Sequence, residues 1–298
     1  MYGSRAELAA CQNADMVQKR AVPTIKRRRV GAQLRRWRGP MKSGDAAKLM
    51  GWDITRLSRI ERGTYRVSSE EVRAFAAKLG VDDPEGVEEV ALAAEEPAGA
   101  GWWVPYTGHV QADLLDFVQM EAEADVIRVQ HYSVVPGLLQ SPAYMRELIA
   151  HEARLDARQV GMLINLRLAR QSVLGNLTRL HAIVPEAALY PRFEDNPGIM
   201  RDQMRRLLDV SDMPNIDLQV LPLTAHPKYG SNGATTLLDF KHPWTSVASV
   251  DGPSGGFHTE DADLVAFQSV EFRSIANVAL PFSETRDLLR EHLERLHK

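Results

Sequence analysis

One cysteine, Cys11, stands in 298 residues, so no disulfide framework staples the fold and a reducing, cytoplasmic setting suits the chain. No apolar run approaches the ~20 residues that span a bilayer. The first twenty residues, MYGSRAELAACQNADMVQKR, lack the apolar centre of a secretory signal. Nine histidines are scattered without an H-x-x-x-H pair or a neighbouring cysteine, which leaves zinc without a ligand set. The glycine signatures that cradle nucleotide phosphates, G-x-G-x-x-G and G-x-x-x-x-G-K-[ST], are missing. Gly252-Pro253-Ser254-Gly255-Gly256 is glycine-rich but has neither a lysine nor a strand-to-helix setting. No G-x-S-x-G elbow or Ser/His/Asp set stands out, and Asp261 and Asp263 read as helix-start acids. These absences exclude the common catalytic classes. The chain reads as a non-enzyme with no catalytic residue, no metal and no cofactor.

What is present is an uneven charge. Residues 1–80 hold 18 basic and 7 acidic side chains, a net +11, and the remainder holds 18 and 32, a net −14. A basic front on an acidic rear suits a polyanion-binding module joined to a part that avoids polyanions. The length suits two domains, each able to bury a core.

Residues 1–24 are polar and unpatterned, and read as a disordered leader. Ile25–Arg38 then sets Val30, Leu34 and Trp37 on one helical face. Five further helices are expected before residue 100. Ser68-Ser69-Glu70-Glu71 is a capping box opening one of them, and Asp83-Pro84 opens another that runs to about Glu95. PAGAG, Pro97–Gly101, is the linker, so the helical domain spans 25–96 and a second domain 102–298. Beyond it, helices are expected near 110–124, 143–152, 157–174, 199–210, 263–278 and 283–296. Strands are expected at 126–135, 178–184, 215–221, 234–240 and 246–251, those at 178–184 and 215–221 half-buried by their alternation. The fold class is an all-helical helix-turn-helix bundle followed by a mixed α+β domain.

The helix-turn-helix reading rests on AAKLMGWDITRLSRIERG, Ala46–Gly63. Two short helices crossing steeply need a small residue where they touch, a glycine for the left-handed turn and apolar residues facing the core. Ala47 and Gly51 supply the first two, and Leu49 or Met50, Ile54, Leu57 and Ile60 the third. Asp53 caps a second helix, Ile54–Glu61, that stops at Gly63. Its outward face carries Thr55, Ser58 and Arg59, placed to meet base edges in a major groove. Lys42, Ser43, Arg62 and Arg66 lie where chain ends meet phosphates. A homodimer on an inverted repeat of double-stranded DNA follows, because one short helix spans only a few base pairs.

These residues resemble the Cro/cI-type (Xre family) helix-turn-helix, in which LSRIERG is the usual ending of the recognition helix. The resemblance covers about fifty residues. It implies a structural role for Glu61, tying helices together. The connection RGPMKSGDAA is about two residues shorter than the family's, with Gly39-Pro40 as a tight turn and Met41 in place of a core leucine.

The rear domain resembles that of actinobacterial WhiJ-like, antitoxin-type regulators. The resemblance is carried by Trp102-Trp103, VPGLLQSPAY (Val135–Tyr144), Ala169-Arg170-Gln171 and VPEAALY (Val184–Tyr190), then Gln203, Val220–Pro222 and ALPFSET (Ala279–Thr285). It departs at Ser246–Gly256, where the family more often has a tyrosine before the acidic position held by Asp251. The resemblance implies an oligomerising or sensing domain that binds a small acidic partner protein. The alternative is a small-molecule effector. From the residues alone, Arg167, Arg170 and Gln171 fit an anion site or a surface salt-bridge network, the latter more cheaply. Trp102, Trp103 and Tyr106 fit packing better than a ligand wall, and the loop with His226, Lys228 and Tyr229 fits a solvated connection better than a pocket.

Overall fold

Apolar residues recurring every three or four positions drive the first helix, α1, over Ile25–Arg38, where Val30 and Leu34 are buried. The computed structural model describes residues 25–95, 101–150, 155–175, 178–193, 196, 198–230, 233–252 and 255–296. The leader 1–24 and, apart from Gly101, the linker 97–101 lie outside the described residues. The chain divides into two compact units, Met1–Gly101 with His242–Trp244, and Trp102–Lys241 with Thr245–Lys298.

In the first unit α1 is followed by α2 (Ser43–Met50), α3 (Ile54–Glu61), α4 (Ser69–Leu79) and α5 (Pro84–Glu95). Four further helices therefore follow α1 among the described residues, where five are expected from sequence. Leu34, Leu57, Ile60, Val72 and Phe75 form the core, and full burial of each such side chain is worth roughly 1.5–3 kcal/mol. Met41 packs partly buried against it. Helix α2 stops at Gly51, whose φ of +67° is left-handed, a conformation costing other residues about 1–2 kcal/mol. Asp53 accepts a hydrogen bond from the Thr55 amide at 2.7 Å and starts α3. Ser68 and Glu71 form a reciprocal capping box on α4.

The second unit contains α6 (Ala112–Glu123), β1 (Val126–Gln130), α7 (Pro142–Ala150), α8 (Ala157–Arg170), β2 (Arg179–Pro185), α9 (Gly198–Ser211), β3 (Ile216–Leu221), β4 (Thr235–Asp239), β5 (Val247–Gly252), β6 (Gly255–Thr259), α10 (Ala262–Ala276) and α11 (Phe282–Arg295). The six strands form one mixed sheet in the order β3-β2-β1-β4-β5-β6. β1, β2 and β3 run parallel, and their crossovers are the helices α7, α8 and α9. β4, β5 and β6 continue as an antiparallel meander from the other side of β1. β1 is thus where the sheet changes character. One face packs Ile183, Leu237 and Ala248 against Phe272 and Ile275 of α10. The opposite face carries Ile127 and Val129.

Several expectations shift. β1 is five residues long rather than ten, because its pairing with both neighbours ends at Gln130. The following VPGLLQ contains a 3-10 turn, Gly137–Leu139. Helix α8 stops at Arg170 and passes into a 3-10 turn over Gln171–Gly175. β2 and β3 are more deeply buried than their alternation suggests, and helices α9, α10 and α11 all pack against β3. β6, GGFHT, is unanticipated because it shows no apolar alternation.

Candidate functional site

The paired helices α2 and α3 are held from behind. Arg38 on α1 donates from Nε to Glu61 Oε1 at 2.6 Å and from Nη2 to Oε2 at 3.2 Å. Both side chains are nearly buried, so Glu61 acts as the strut between α1 and α3. Arg56 is likewise turned inward. It pairs with Glu71 and lies 4.7 Å from the Trp52 ring, which in turn stacks on Phe75.

The remaining face of α3 is open. Thr55 and Arg59 are exposed and Ser58 partly so, as are Lys42, Arg62 and Arg66 (exposed) and Ser43 (partly). Arg62 rests its Nε on the Ser58 carbonyl at 3.0 Å. The Thr55 hydroxyl and amide hold the Asp53 carboxyl below its usual range. A side-chain carbon at Gly44 would stand 3.7 Å from Ile54 Cδ1, so the first turns of α2 and α3 lie side by side. Ile54 corrects the sequence reading. The spacing places it in the core, yet it is 53% exposed, with the first turn of α2 beside it. Leu49 is exposed as well, and Met50 takes the inward position.

The second unit contains a cavity of about 430 Å³, within the ~300–1,000 Å³ range of small-molecule sites. It lies over the Ile127 and Val129 face of β1 and past that strand's carboxyl end, where His131 and Val134 follow. Helices α6 and α8 wall it with Phe117, Leu163 and Arg167. Arg167 and Arg170 are therefore not a surface network. Arg170 is fixed by two hydrogen bonds of 2.8 Å to Glu121, a pair 13% and 3% exposed. Gln171 donates to the carbonyls of Gly137 and Gln140 at 3.2 and 2.7 Å. Arg167 and Arg170 both border the cavity, but Arg167 has no ion-pair partner among the described residues, and burial and the neighbouring Arg170 pull its pKa down to about 10. Burial also lowers His131, with Arg167 and Arg170 adding to the effect and Asp251 opposing it. His258 bonds Ser249 Oγ at 2.9 Å and the Asp113 carbonyl at 3.0 Å, and stacks on Phe117.

Other sequence candidates take quieter places. Trp102 packs edge-on against Trp103 and Tyr106. Asp261 caps α10, accepting from the amides of Asp263 and Leu264. Lys228 and Tyr229 lie in a short 3-10 turn, Pro227–Gly230. His131, Phe117 and Glu121 gave no local signal, since their neighbours Arg170, Asp251 and His258 come from distant segments of the chain. Among the described residues no helix is long and apolar enough to cross a membrane, and no group of three or more His, Cys, Asp or Glu could hold a metal.

Two short helices meeting at Ala47 and Gly51, with an open polar and basic second helix, define a helix-turn-helix. The profile of a helix-turn-helix domain matches residues 29–89, and the amino-terminal unit is that of a DNA-binding regulator. Residues 114–291 match a domain of unknown function, DUF5753, and the chain belongs to that family. No curated protein and no solved structure matches the chain.

Proposed function

We propose that the chain is a sequence-specific transcriptional regulator of the Xre type, binding an inverted repeat as a homodimer. The open face of α3 carries this reading. Thr55, Ser58 and Arg59 meet base edges, and the exposed Ile54 adds an apolar contact suited to a thymine methyl group. Lys42, Ser43, Arg62 and Arg66 meet phosphates, Ser43 at the amino end of α2 where helix amides favour anions. The test is selection from random DNA with wild type, Arg59→Ala and Arg62→Ala. Arg59→Ala is expected to relax the preference at one base pair, worth roughly 1–3 kcal/mol. Arg62→Ala is expected to weaken all sequences alike and to reduce the salt slope by about 0.9. An unchanged selected motif with Arg59→Ala removes the assignment, and a motif lacking two-fold symmetry removes the homodimer.

The carboxy-terminal domain is the input that sets DNA affinity, and the cavity beside β1 favours a small-molecule effector. A second reading has its own observation. On α10, Leu264, Phe267 and Val270 are spaced three apart and exposed, Phe267 by 57%. A stripe of this kind suits a small partner protein, as in WhiJ-like, antitoxin-type regulators. A tagged full-length chain that recovers one stoichiometric small protein, and loses it with Phe267→Lys, supports that reading over the first.

A further inference from the structure

We propose that the cavity beside β1 binds an amphipathic organic monocarboxylate, its headgroup on Arg167 and its apolar body on Phe117, Ile127, Val129 and Leu163. The inference rests on the reading of the second domain as a small-molecule input and names the class of that effector.

Arg167 and Arg170, in the last turns of α8, make the argument by contrast. Arg170 is neutralised by Glu121 in a bidentate pair. Arg167, one helical turn earlier, makes a single hydrogen bond of 3.3 Å to Gln140 Oε1 and no ion pair among the described residues. A guanidinium facing a largely apolar space, with the Asp251 carboxylate near enough to be felt but in no ion pair with it, is held at a desolvation cost, which an incoming anion relieves. The depressed pKa of Arg167 has the same cause, burial first. Gln140 is itself fixed, its Nε2 donating to the Val135 carbonyl at 2.8 Å, so its Oε1 aims the guanidinium rather than quenching it.

The rest of the wall sets size and charge. Ile127 and Val129 line the floor and Phe117 and Leu163 the sides, so the body of the ligand is apolar. Asp113 and Asp251 also border the space, Asp251 exposed at its rim. These carboxylates oppose a polyanion, which excludes nucleotides and polyphosphates and leaves one negative group. The position is where open sheets place ligands, at the carboxyl end of the strand beside which the connection order reverses.

The experiment uses the full-length chain with octanoate and 4-phenylbutyrate, against octan-1-ol, octylamine and inorganic phosphate, by calorimetric titration and thermal melting. Saturable binding of a carboxylate is expected. Octan-1-ol should bind about tenfold more weakly, as should octanoate to Arg167→Gln, the loss expected for one charge-assisted contact. Should Arg167→Gln fail to fold, Leu163→Trp fills the apolar end and is expected to abolish octanoate binding with the arginine intact. Equal affinity for octan-1-ol or octylamine, equal competition by phosphate, no saturable binding of either carboxylate, or undiminished octanoate binding in both variants overturns the proposal. Titrating operator DNA with and without octanoate separates the two layers. Cavity binding with unchanged DNA affinity supports the site and overturns the effector reading instead.

Discussion

Gly31 shows how a single residue sets the pose of the recognition helix. Inside a helix, glycine is ordinarily worth about 1 kcal/mol less than alanine, so Gly31→Ala would stabilise an isolated α1. Here α1 crosses the end of α3 so closely that a side-chain carbon at Gly31 would lie 2.3 Å from the Ile60 carbonyl oxygen and 2.7 Å from that of Glu61. Both obstacles are backbone and cannot rotate aside. Gly31→Ala is therefore expected to destabilise the helical domain by roughly 1–3 kcal/mol, the usual cost of overpacking. Scanning calorimetry checks the sign, and a raised or unchanged midpoint shows that the helices can separate freely. Ile54 carries the opposite lesson. Its spacing matches Leu57 and Ile60, so periodicity places it in the core, but periodicity does not say where the neighbouring helix ends.

At the scale of elements, the loop leading from Val135 to Ser141 must be rigid to wall the cavity, though it lacks regular pairing. Three glutamines hold it. Gln203 of α9, fully buried, accepts from the Ser141 amide at 2.7 Å and donates to the Leu139 carbonyl at 2.9 Å. Gln171 and Gln140 bind the carbonyls on either side. Buried backbone groups need such partners, and each one left unsatisfied costs about 1–3 kcal/mol. Gln203→Leu keeps the volume but orphans two of them. It is expected to lower the thermal midpoint of the carboxy-terminal unit and to speed exchange of the Ser141 amide, measurable by hydrogen exchange. An unchanged Ser141 protection factor would remove Gln203 as the anchor. One helix expected before residue 100 is absent among the described residues, and β1 is half its expected length. Most helices and the positions of five of the six strands were nonetheless readable from sequence, because caps such as Asp53 and Ser68 and alternations such as IDLQVL act locally. β6 was not, because Gly255-Gly256 gives no pattern and its pairing depends on β5. The cavity was not either, because Phe117, Arg167 and His258 meet only through the topology, and Arg167 on its own looks like any exposed cation of an amphipathic helix.

For the molecule as a whole, stability near neutral pH is tied to histidines held neutral. Burial lowers the pKa of His131, and the positive charges of Arg167 and Arg170 lower it further, against the opposing charge of Asp251. Burial lowers His292 as well, with Arg295 adding to the effect against Glu186 and Glu291. In both cases the folded pKa lies below the unfolded value of about 6.5. Below that pH the unfolded chain binds protons that the folded chain refuses, so folding stability is whole above about 6.5 and declines as pH falls toward the folded values. The melting midpoint is accordingly expected to drop between pH 7 and pH 5, a range in which most carboxylates stay ionised. His131→Gln and His292→Gln should each flatten the decline, and the double variant should flatten it most. A midpoint that holds level from pH 7 to pH 5 in the wild type, or one whose slope is the same in all four proteins, would place the acid sensitivity elsewhere. The same electrostatics links stability to the cavity. A carboxylate seated on Arg167 offsets the charge that depresses His131, so octanoate should also reduce the pH slope in wild type and leave it unaltered in His131→Gln.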